Sequence, residues 1–140
     1  MICKWWQLDV IMRRRNKLDT KKLLRVLFFI AAVYDGILGC IGLVFPLWLF
    51  NMFQVPPPNN LGYVQFPALL LIIFAILFLN IAFEPEKNKQ LIIYGILLKV
   101  SYCAVIFSHW FLGNMPAMWI PFAFFDVVFL LTFVWAYVIL

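Results

Sequence analysis

The stretch LIIYGILLKVSYCAVIFSHWFL, residues 91–112, decides how the rest of the chain is read. It is almost wholly apolar, yet it carries Lys99 near its middle. The hydrocarbon core of a bilayer needs about 20 such residues at ~1.5 Å each. The stretch is long enough, so it reads as a membrane-spanning helix. A lysine inside such a helix costs about 2.5 kcal/mol or more, and something must compensate it. Asp35 and Asp126, each deep inside another apolar run, are the two partners that the chain offers.

Composition supports the same reading. Of 140 residues, 66% are hydrophobic and 12% charged, against ~25% charged in soluble domains. A soluble core of this size could not hide that much apolar surface, because small domains bury a modest share of their area. The net charge of +5 could suggest nucleic acid, but eight of the eleven Lys and Arg lie between Lys4 and Arg25, beside the first apolar run. That placement is a topology signal and a contact with lipid headgroups; no nucleic-acid partner is expected. Cys3, Cys40 and Cys103 stand far apart with no C-x-x-C, so no metal or dithiol centre is expected, and no cofactor motif is present.

Working outward, the fold class is all-α: an integral membrane four-helix up-down-up-down bundle. Its spans are about 23–45, 63–83, 91–112 and 117–140, preceded by a basic N-terminal segment, 1–22. In the first span Ala31, Gly39 and Gly42 stand at i−4, i+4 and i+7 from Asp35, on one helical face. Small residues let helices approach closely in lipid, so this face is expected to point into the bundle. In the second span Ala68, Ala75 and Ala82 recur every seven residues and mark a packing stripe, with Asn80 as its strongly polar residue. Pro46 is expected to end or kink the first helix, and LWLFNMF, 47–53, to lie along the interface. Pro56-Pro57-Pro58 makes a stiff extended loop. The short connection 84–90 makes the second and third spans antiparallel neighbours.

Residues 1–22 have poor periodicity. Trp5 and Trp6 suit a membrane surface, while Met12 is an alternative start that would drop residues 1–11. The basic start followed by an apolar run resembles a signal peptide, and Leu38-Gly39-Cys40 resembles a lipidation site. The run is too long and is interrupted by Asp35, so an uncleaved span is expected. The N-terminal stretch up to Arg25 and the 84–90 loop hold ten of the eleven Lys and Arg. By the positive-inside rule both termini face the cytoplasm, and the chain belongs in the plasma (inner) membrane as a multi-pass protein.

Rise per residue puts the three charged groups at overlapping depths. Asp35 lies ~18 Å beyond Leu23, Lys99 ~12 Å beyond Leu91, and Asp126 ~21 Å before Leu140. A lysine stem reaches about 6 Å, enough for Lys99 to meet either aspartate. Two carboxylates and one ammonium sum to −1 when all are ionised, and burial penalises the excess. Tyr34, Tyr94 and Tyr102 could supply hydroxyls, Tyr102 being at i+3 from Lys99. The candidate ligand-binding residues are therefore Asp35, Lys99, Asp126, Tyr34, Tyr102 and Asn80. The plain alternative is a satisfied ion pair that fixes helix order and register. His109 has no second ligand in spacing and suits an interfacial hydrogen bond.

The runs EPEKNK at 84–89, YGILLK at 94–99 and PFAFFD at 121–126 resemble a group of small bacterial four-helix membrane proteins, similar in size and layout to the DoxX-like proteins. Some DoxX-like proteins are subunits of quinone-linked oxidoreductases; without a cofactor motif that activity is not carried over. Three functions stay open. One is a binding or accessory protein whose Asp/Lys/Asp pocket takes a small lipid-soluble ligand or membrane partner. Another is a proton-coupled transporter or channel acting as a homo-oligomer. The third is an acid/base enzyme of isomerase type, which no nucleophile constellation supports. Beyond the lipid bilayer itself, partners are not named by the residues.

Overall fold

The computed structural model describes the backbone of residues 2–140 and the side chains of residues 18–140. The described residues are helical, with no strand: α1 (Ile2–Val44), α2 (Pro46–Met52), α3 (Gly62–Phe83), α4 (Leu91–Phe111) and α5 (Ile120–Ile139), the last entered through a 3-10 turn, Ala117–Trp119. Four stretches are long and apolar enough to cross a membrane: Leu18–Val44, Gly62–Phe83, Leu91–Phe111 and Ala117–Ile139. Their large apolar side chains, among them Phe29, Ile30, Ile73, Leu97 and Leu131, face outward. An outward apolar coat is what lipid demands of a bundle.

The largest departure from expectation is at the start. Where the sequence pattern requires no helix over residues 1–22, α1 runs unbroken from Ile2 into the membrane. The reason is the absence of a breaker: no glycine or proline precedes Gly36. The expected surface role of Trp5 and Trp6 falls outside the described side chains. The spanning part of α1, 27 residues or ~40 Å, exceeds the ~30 Å core, so its first turns emerge among headgroups or the helix tilts.

Pro46 closes α1 and opens α2, which it can do because its missing N–H falls at a position that has no helical partner anyway. Short α2 turns Trp48 outward and buries Phe50 against Trp119, ring centroids 6.3 Å apart. At the other end of the bundle the 84–90 connection is tied down by Asn88, whose Nδ2 donates to the Asn80 carbonyl at 2.8 Å.

The helices associate as two antiparallel pairs. Helix α1 lies closest to α3, and α4 closest to α5; the two pairs approach each other less closely. The α1–α3 contact is where the two expected small-residue stripes meet. A Cβ placed on Gly39 would stand 2.7 Å from Ile72 Cγ1 and 2.8 Å from the Ala68 carbonyl oxygen, and one on Gly42 would stand 3.1 Å from Ala68 Cβ. Only glycine permits that backbone approach. Between the pairs, at the end carrying the basic residues, Phe133 stacks on Phe28 at 4.8 Å and meets Phe78 edge-on at 5.1 Å. Gly95 makes room for this trio: a Cβ there would come within 2.6 Å of the Phe78 ring.

Candidate functional site: a buried charge triad

Three helices deliver one charged group each to the middle of the bundle. Asp35 stands on α1 one turn before Gly39, so the close α1–α3 approach holds it facing inward, 0% exposed. Lys99 stands on α4 one turn beyond Gly95 and is 1% exposed. Asp126 stands on α5 one turn beyond Ala123 and is 6% exposed, the most accessible of the three. The Lys99 ammonium donates to both carboxylate oxygens of Asp35, at 2.8 and 3.1 Å. Asp126 Oδ1 lies 2.9 Å from the same nitrogen, an ion-pair distance, but without the alignment of a hydrogen bond. Lys99 Nζ also sits 5.4 Å from the ring centres of both Tyr34 and Phe129, which give it two aromatic faces.

The arrangement resolves a question that helix depth alone leaves open. Lys99 reaches both aspartates at once, and its hydrogen bonds go to Asp35 across the junction between the helix pairs. The triad thus couples α1 to α4 and, within the second pair, α4 to α5. Such a charge in lipid is tolerated only with its partners in place.

The other expected site residues are placed unequally. Tyr34 belongs to the triad's surroundings: its ring packs on Phe129 and Phe125 at 5.3 and 6.3 Å, and its hydroxyl is buried with no hydrogen-bond partner among the described residues. Tyr102 is half-buried and has a partner of its own, its hydroxyl donating to the Trp119 carbonyl at 3.3 Å and so tying α4 to the 3-10 turn. Asn80 stands apart from the triad, exposed near the 84–90 connection, where its backbone carbonyl caps the loop. Tyr94 faces outward at 55% exposure. His109 makes the interfacial contact expected of it, Nδ1 lying 3.0 Å from Asn114 Oδ1. Phe129 is the neighbour that sequence reasoning passed over. It stands at i+3 from Asp126, a spacing that would have placed it on the same face.

No protein-family model matches the chain, and neither a curated protein nor a solved structure matches it. What fold and site define is a small multi-pass membrane protein, a four-helix bundle with a buried Asp/Lys/Asp triad.

Proposed function

We propose that the chain is a membrane binding or accessory protein whose triad accepts the polar end of a small lipid-soluble ligand. The observation that carries this reading is unfilled hydrogen-bonding capacity on one side of the cluster. Asp35 takes both hydrogen bonds of Lys99, whereas Asp126 Oδ1, an acceptor, has only its 2.9 Å ion pair with the same nitrogen, and the Tyr34 hydroxyl, a donor, is buried with no hydrogen-bond partner among the described residues. Buried polar groups are paired in ~90% or more of cases, and an unpaired one costs about 1–3 kcal/mol. A ligand carrying a hydroxyl group would satisfy both, donating to Asp126 Oδ1 and accepting from the Tyr34 hydroxyl.

Lipid solubility follows from access. Among the described residues, two cavities lie at the ends of the bundle and neither touches the triad, which is walled by apolar helices, so the reading calls for a ligand that dissolves in the bilayer. With the basic end in the cytoplasm, as the positive-inside rule has it, the triad sits in mid-membrane. The DoxX-like resemblance in size and layout is in keeping with an accessory role in a bacterial plasma membrane.

The test is mass spectrometry of apolar extracts from protein purified in mild detergent, comparing wild type with Tyr34→Phe and Asp126→Asn. Both changes leave the Lys99–Asp35 bonds in place. The expected result is a small molecule with a polar group, retained near stoichiometrically by wild type and lost from both variants. Identical extracts from all three proteins would reduce the triad to an ion pair that fixes helix order.

A further inference from the structure

A second site lies away from the triad, at the basic end of the bundle. There a cavity of about 450 Å³ opens between α1, α5 and the 84–90 connection, within the ~300–1,000 Å³ range of ligand pockets. Its lining divides by chemistry. Lys21 and Glu86 form the polar side, Nζ and Oε2 being 3.2 Å apart and both side chains partly exposed. Leu24, Trp135 and Ile139 form the apolar side, with Trp135 43% and Ile139 40% exposed toward the bilayer. Lys21 lies just inside the start of the first span, which places the cavity at the membrane–water boundary, where tryptophan is at home.

The other charges of the connection are engaged elsewhere: Lys87 pairs with Glu84 at 2.7 Å, and Lys89 sits over the Tyr137 ring at 4.9 Å. The charged side chains that line the cavity are one cation, Lys21, and one anion, Glu86, side by side, with Thr20 and Leu140 completing the lining. A purely anionic headgroup would match Lys21 and meet Glu86 as a like charge. A headgroup bearing both a phosphate and a primary ammonium matches both. We infer that this cavity binds an amine-bearing zwitterionic phospholipid, its phosphate on Lys21, its ammonium donating to Glu86, and its acyl chains along Trp135 and Ile139. A trimethylated ammonium has no N–H to donate and would fit less well. None of these residues belongs to the triad, so this site and the proposed function stand or fall separately.

The full chain in detergent would be titrated, by native mass spectrometry, with phosphatidylethanolamine, phosphatidylglycerol and phosphatidylcholine of equal acyl chains. Phosphatidylethanolamine is expected to be preferred over phosphatidylglycerol by up to roughly fivefold, the range of a partly exposed ion pair. Glu86→Gln, at a solvated position, should erase that preference, and Lys21→Gln should weaken both lipids. Equal binding of the two lipids by wild type, or an unchanged preference in Glu86→Gln, would overturn the assignment. Soluble phosphoethanolamine should fail to compete; displacement of the lipid by it at comparable concentration would make the site one for the free headgroup and sink the lipid.

Discussion

Along Gly36, Gly39 and Gly42, helices α1 and α3 meet through backbone and small side chains, whereas the pair they form meets α4 and α5 through aromatic rings and charges. The first contact is close because Gly39 and Gly42 leave nothing between the helices and Ala68. The second spans a wider gap, filled by Phe28, Phe78 and Phe133 toward the basic end and by Asp35 and Lys99 in the middle. In lipid no hydrophobic force drives helices together, so each contact has to supply its own attraction. Small residues supply it by dispersion over a matched surface, which has no polarity and tolerates no bulk. The junction supplies it by reach and charge, which tolerates shape changes but not the loss of a partner. The two regions should therefore fail in different ways.

The largest effect is expected at the junction. Lys99→Met strands two carboxylates in lipid, and breaking such a pair costs about 3–5 kcal/mol, so the yield of folded protein in detergent should drop sharply. Adding Asp35→Asn should recover more of the loss than adding Asp126→Asn, because Asp35 holds both hydrogen bonds and is the more buried. Equal recovery from the two would show a shared ammonium with no preferred partner, and simple additivity would separate Lys99 from both.

Next comes Gly39→Ala on the α1–α3 side. Its methyl would meet the Ala68 carbonyl oxygen, which is backbone and cannot swing aside, so a loss of about 1–3 kcal/mol is expected in unfolding by sodium dodecyl sulfate. The smallest effect belongs to Gly36→Ala, one turn away. There the new methyl would lie 3.5 Å from Ala75 Cβ, an ordinary contact, and removing glycine from a helix interior gains up to about 1 kcal/mol. If Gly36 and Gly39 respond alike, the α1–α3 contact is looser than a backbone-to-backbone approach.

Sequence patterning carries the fold far because lipid constrains it so tightly. Span lengths, Pro46 as a stop, the 84–90 turn and both small-residue stripes follow from that solvent and from helical period. The triad is legible for the same reason: three charges in apolar helices have few places to go. What stays hidden depends on rotation and on side-chain torsions. Asn80 reads in the sequence as the strongly polar residue of its span and a candidate for the site, but the helix leaves it exposed beside the loop. Tyr102 shares a face with Lys99, yet its ring reaches a backbone carbonyl instead. The Phe28–Phe78–Phe133 trio is invisible among sixteen phenylalanines, and Gly95, which makes room for it, carries no sign in the sequence of what it accommodates.

The separation of Asp35 from Lys99 also has a consequence in time. The chain is made from its N-terminus at ~5–20 residues per second, and 64 residues separate the two. For roughly 3–13 s, then, the carboxylate exists before the ammonium that will hold it. Within that interval α3 emerges, and the glycine-lined pairing with α1 can close once the chain has reached Phe83. The first hairpin is thus completed with its charge still uncompensated, and the arrival of α4 is the event that makes it comfortable in the bilayer. A ribosome stalled between Phe83 and Lys99 would leave a product whose insertion depends on whatever shelters Asp35 meanwhile.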